Sequence, residues 1–138
     1  MDFNKYKSQI IKNGTGVSTP AFTYLHTNSH CCKINGALVK RLGLTSTKKT
    51  IGEETKDVAE FQVLPMEEGK FAIGAEIFSD EPKITGVLKG NTVIFYSREL
   101  GGFIEGLLPQ FQQGKSYTYH PLEYSKVDGK DVAIFQVK

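Results

Sequence analysis

A chain of 138 residues with 39% hydrophobic and 23% charged side chains has the make-up of one globular domain, not of a disordered or fibrous protein. Its longest apolar runs, such as Val93-Ile94-Phe95-Tyr96, fall far short of the roughly 20 residues a membrane-crossing helix needs. The opening Met1-Asp2-Phe3-Asn4-Lys5 lacks the apolar core of a secretory signal, so the expectation is a cytoplasmic protein with no membrane partner. The net charge of +2 conceals a split. In residues 1–49 seven lysines and Arg41 face only Asp2, a net of +7; in 50–81 Lys56 and Lys70 face nine carboxylates, a net of −7; in 82–138 seven basic side chains face five acidic ones.

Residues 1–19 read as a basic N-terminal arm carrying Gly14, Gly16 and Ser18, of a kind ordered on binding. Residues 20–138 read as a single β-rich domain of two repeats, 20–80 and 82–138. The first repeat starts with the alternating run from Phe22, turns at Asn28-Ser29 and returns through Cys31-Cys32-Lys33-Ile34. Asn35 is a favoured N-cap for a helix over Gly36–Leu44, with Gly43 as its C-terminal stop. The polar, acidic stretch Thr45–Glu60 reads as a surface insertion. Strands are then expected at Phe61–Leu64 and Phe71–Ile77, joined by the turn residues Glu67-Glu68-Gly69-Lys70.

The second repeat restates this layout from Ile84. Gly90-Asn91 supplies the turn, Ser97 the cap, and Leu100, Phe103, Ile104, Leu107 and Leu108 the apolar stripe of a helix closed by Pro109. Gly101 and Gly102 cost that helix about 1 kcal/mol each against alanine, so packing must support it. Tyr117–His120 and Val132–Val137 are strands, with Asp128-Gly129 a strong hairpin turn. The distance from strand start to cap is the same in both repeats, Phe22 to Asn35 and Ile84 to Ser97. The fold class expected is mainly β (α+β): two tandem hairpin-helix-hairpin units forming a swapped-hairpin-like β-barrel with two short helices.

The segment Lys33–Leu44, a basic and apolar helix ending in Leu42-Gly43-Leu44, is similar to the AbrB, SpoVT and MazE type of swapped-hairpin DNA-binding domain. The two-copy layout resembles that of MraZ proteins. The resemblance implies a self-contained pseudo-dimer and a non-enzymatic transcriptional regulator with DNA as partner. The chain departs from the family in having no Gly-Arg first turn, no proline before the helix, and arginine only at Arg41 and Arg98. Residues expected on the phosphate backbone are Lys33, Lys40, Arg41, Lys48, Lys49, Lys89 and Arg98, which would position the protein without reading bases. The alternative is a protein-interaction module or inhibitor from a phage or mobile element, using the acidic 50–81 segment against a basic partner. A homo-oligomer fits either reading, and a third is a ligand-binding barrel with tyrosines at its mouth.

Chemistry-bearing motifs are sparse. His26, His30 and Cys32 lie close in sequence, yet their spacing matches no common zinc pattern, so no metal or cofactor is expected. Adjacent Cys31 and Cys32 are unsuited to a disulfide framework. No nucleophile elbow, phosphate loop or metalloprotease motif occurs, and His120 beside Glu123 reads as a turn histidine. Tyr117, Tyr119 and Tyr124 are expected along one strand face, covering the core or stacking on bases.

Overall fold

The turns and caps fall where their chemistry places them. The computed structural model, which describes residues 2–9, 19–107 and 113–137, contains β1 (Phe22–Leu25), β2 (Cys31–Ile34), α1 (Gly36–Leu42), β3 (Thr47–Ile51), β4 (Glu54–Pro65) and β5 (Lys70–Gly74). There follow β6 (Ile84–Lys89), β7 (Thr92–Tyr96), α2 (Arg98–Leu107), β8 (Ser116–Tyr119), β9 (Glu123–Val127) and β10 (Lys130–Gln136). Asn35 Oδ1 accepts from Leu38 N at 2.9 Å and Ser97 Oγ from Leu100 N at 3.1 Å, each satisfying an amide that has no partner inside the helix. Gly43, at φ +67°, supplies the left-handed residue that ends α1, so this helix stops at Leu42 and not Leu44. At the β9–β10 turn both Asp128 and Gly129 have positive φ, as a tight hairpin requires.

The ten strands among the described residues run β8-β1-β2-β7-β6-β4-β5-β10-β9, with β3 beside the first part of β4. Every pairing is antiparallel. The long strand β4 curls this sheet. Its residues 58–61 pair with β6 and its residues 62–65 with β5, so one strand leaves one half of the sheet and enters the other. Alternate positions then point inward: Phe22 and Tyr24, Cys32 and Ile34, Ala59 and Phe61, Phe71 and Ile73, Val93 and Phe95, Ala133 and Phe135 all belong to one core. Phe22 stands at its centre, its ring 5.2 Å from that of Phe71 and 5.9 Å from that of Phe135. Leu38 and Leu42 of α1 and Leu100 and Ile104 of α2 complete that core.

The protein is mainly β, and three expectations need correction. The sheet is an open, curled half-barrel and not a closed barrel. Its end strands β8 and β9 are joined by His120-Pro121-Leu122 but share no ladder, and Pro121 has no N–H to offer one. The strand expected from Phe61 begins at Glu54, inside the surface insertion Thr45–Glu60, where Thr47–Ile51 pairs with Glu54–Val58 as a largely exposed ribbon. The three tyrosines do not share a strand, since Tyr117 and Tyr119 lie on β8 and Tyr124 on β9; Tyr119 and Tyr124 pack on the core. Of the N-terminal arm, Phe3–Gln9 forms a 3₁₀ helix with no buried residue; Gly14, Gly16 and Ser18 lie outside the described residues, as does Pro109.

Candidate functional site

The basic residues expected on DNA are spread over β2, α1, β3, β6 and α2. Arg41 is engaged: its Nε donates to Asp131 Oδ2 at 2.8 Å and its guanidinium lies 4.0 Å from the centre of the Tyr124 ring. Lys48 is 3.2 Å from Asp57 across the β3–β4 ribbon, where Lys49 stands opposite Lys56. Lys33 points away from the core in register with Thr23 and Ile94. Lys40 lines a groove of about 300 Å³ with Asn91, because the β6–β7 turn sits on the start of α1, where a Cβ on Gly36 would fall 2.8 Å from Asn91 Cβ. Lys89 leads into that turn, and Arg98 opens α2 with its side chain exposed. Among the described residues Lys33, Lys40, Lys49, Lys89 and Arg98 form no ion pair.

The β1–β2 turn packs in turn on α2. A Cβ on Gly101 would meet His30 Nδ1 at 2.5 Å, so the glycine that weakens the helix locally is what admits the histidine. There Glu105 Oε1 accepts from Tyr24 OH and lies on His26 Nδ1, while His30 Nδ1 is 2.9 Å from the Tyr24 hydroxyl. Burial, then the bond to Glu105, raises the Tyr24 hydroxyl far above its usual range. Burial pushes Glu105 up, but Tyr24 and His26, with His30 nearby, more than offset it and hold the carboxyl below its ordinary value of 4.5. This network therefore favours the ionised carboxylate. The stability it supplies is present above about pH 4.5 and is lost as the pH falls through the lower folded-state value. Glu105→Gln is expected to flatten the acid limb of a plot of Tm against pH between 7 and 3; an unchanged slope would remove Glu105 from that role. Burial, reinforced by Cys31, pushes the Cys32 thiol up to about 12, so it stays protonated and packs as a small apolar group. Among the described residues no group of three His, Cys, Asp or Glu side chains is arranged to hold a metal.

The acidic segment divides. Asp57, Glu54 and Glu76 face Lys48, Lys56 and Lys83; of the remaining carboxylates in the segment, Asp80 and Glu81 lie beside a cleft of about 580 Å³. Its apolar lining includes Leu64, Ile77, Phe78 and Ile84, and Glu99 from the first turn of α2 adds a third carboxylate. The wall is set by Gln62, which is only 6% exposed. Its Nε2 donates to Phe78 O at 2.8 Å and to Glu81 O at 2.9 Å, and its Oε1 accepts from Ile77 N at 2.6 Å and Phe78 N at 2.8 Å. A primary amide has two donor hydrogens and two acceptor sites, and the segment 77–81 uses all of them. The result holds Phe78 with 48% of its surface exposed.

Sequence reasoning found the acidic block and missed Gln62, Phe78 and Glu99, because an isolated glutamine and a lone phenylalanine carry no periodic pattern. It also missed Glu105, which reads as a solvated helix residue until the β1–β2 turn is packed against it. Comparison with protein-family models, with curated proteins and with solved structures returns no match for this chain.

Proposed function

We propose that this chain is a non-enzymatic protein-interaction module whose acidic, apolar cleft receives a basic segment of a partner protein. The observation that carries this is the Gln62 clamp holding Phe78 at the solvent boundary beside Asp80, Glu81 and Glu99. An exposed aromatic held in place by a buried polar network, with like charges around it, has the make-up of a recognition surface. Lys83 also lines the cleft and lies 3.5 Å from Glu76, so three carboxylates stand there against one ammonium and the lining keeps a net negative charge. The test is fluorescence anisotropy with a labelled twelve-residue peptide of alternating lysine and phenylalanine, against the same peptide with glutamate for lysine. Only the lysine peptide is expected to bind, more weakly as salt rises, and Glu81→Lys with Phe78→Ser is expected to cost at least tenfold. Equal binding of both peptides, or no effect of the substitutions, overturns the reading.

We further read the fold as two tandem hairpin-helix-hairpin units in a swapped-hairpin arrangement. Two kinds of observation support this. The pairing Phe22↔Tyr119 of β1 with β8 has its counterpart in Ile84↔Phe61 of β6 with β4, and the junctions β2–β7 and β5–β10 join like strands of the two units. Each hairpin turn also rests on the other unit's helix, at Gly36 and at Gly101.

A second reading, DNA binding in the manner of an AbrB-like regulator, is favoured by the lysines without ion-pair partners and by the closeness of Lys40 to the Gly90-Asn91 turn. Phosphate contact through these groups would give duplex binding that weakens linearly in log salt and is lost on Lys40→Glu.

A further inference from the structure

We propose that the acidic cleft takes the Phe3–Gln9 arm of a second copy of this chain, so that the protein self-associates by exchanging arms. This rests on the cleft reading above and names its occupant.

The arm has the properties of a ligand and none of those of a packed element. All its residues are exposed, Phe3 at 73% and Tyr6 at 44%. Large aromatics exposed on a short helix are costly to leave in water and favour burial against an apolar partner. In a 3₁₀ helix residues three apart eclipse one another, so Phe3 and Tyr6 form one aromatic row. Lys5 and Lys7 flank that row, with Lys5 Nζ 5.2 Å from the centre of the Tyr6 ring. Asp2 Oδ1 accepts from Asn4 N at 3.0 Å and closes the first turn, so the segment is partly preorganised and loses less freedom on docking.

The cleft is complementary in both respects. Leu64, Phe78 and Ile84 offer apolar walls to the aromatic row, while Asp80, Glu81 and Glu99 outnumber the one lining cation, Lys83, and give its two ammonium groups a net negative surface. Its volume of about 580 Å³ lies within the roughly 300–1,000 Å³ of sites that enclose small ligands. Within one copy no residue of the arm is buried, which leaves its aromatic row available to another copy. Because each copy carries one arm and one cleft, reciprocal exchange gives a closed dimer with the same contact made twice.

The experiment is sedimentation equilibrium of the full chain across protein concentration and salt, with two charge-reversed variants. One carries Lys5→Glu and Lys7→Glu, the other Asp80→Lys and Glu81→Lys; all four positions are exposed, and circular dichroism checks that the fold is kept. The wild type is expected to dimerise, with dissociation increasing with salt. Each variant alone is expected to be at least tenfold weaker, and an equal mixture of the two to recover association, because each reversed arm then meets a reversed cleft and each native arm a native one. A monomeric wild type, or a dimer indifferent to both variants, overturns the proposal. So does a labelled peptide of residues 2–9 that binds the cleft while the chain stays monomeric, since the arm would then dock within its own copy. If the lysine and phenylalanine peptide binds the cleft and the residue 2–9 peptide does not, the cleft reading stands and the arm is not its occupant.

Discussion

Replacing Phe22 with alanine is expected to lower stability by about 3–5 kcal/mol, the usual cost of truncating a fully buried aromatic. Phe22 has no exposed surface, and its ring lies near those of Phe71, Phe95 and Phe135. These neighbours come from β5, β7 and β10, so the truncation empties the place where the two halves of the curled sheet meet. Interiors relax only partly around such a void, and the lining loses its dispersion partners. For a domain of this size roughly 2–4 °C accompany each kcal/mol, so calorimetry should show Tm falling by about 10 °C. A fall below about 3 °C would mean that the core collapses around the gap and that Phe22 is not the keystone its position implies.

Much of this architecture is legible in the sequence, for reasons that differ by element. Caps and turns are local chemistry: Asn35, Ser97 and Asp128-Gly129 act on backbone groups within three residues, so nothing distant overrides them. The continuous apolar runs Phe71–Ile73 and Val132–Phe135 mark buried strands for the same reason. Whether a sheet closes is not local. It depends on how β8 and β9 meet across His120-Pro121, and no periodicity records that. The β3–β4 ribbon was equally hidden, because Thr47–Ile51 is exposed throughout and carries no alternation. The site was legible only as charge. That 50–81 is acidic can be counted; that Lys48, Lys56 and Lys83 each neutralise part of it, and that Glu99 joins from another element, follows from three-dimensional placement.

Gln62→Leu should be the second most damaging change, by about 2–4 kcal/mol. The new side chain fits the volume but abandons the N–H groups of Ile77 and Phe78 and the carbonyls of Phe78 and Glu81. A buried polar group deprived of its partner costs about 1–3 kcal/mol, and the segment's partial access to water keeps the total below the sum over all four. Hydrogen exchange separates this from a general loss of stability: the amides of Ile77 and Phe78 should lose protection by a larger factor than that of Ile73 in β5. Peptide binding at the cleft should fall at least tenfold, since Phe78 is no longer held. Equal loss at all three amides would show that Gln62 supports the whole sheet and not the segment 77–81.

The pairing of β1 with β8, and of β5 with β10, has a consequence for how the chain comes to be made. During synthesis the first hairpin emerges long before its outer neighbour, and Phe22 must wait for Phe135, almost at the far end, before its surroundings are complete. Contacts this distant in sequence slow folding and leave the edge of β1 and an uncovered aromatic exposed in the meantime. A ribosome stalled after residue 107 would therefore hold a chain with both leading hairpins and both helices already translated, but with no stable interior. Resistance to protease should arrive late and in one step, once β8 through β10 have cleared the exit tunnel.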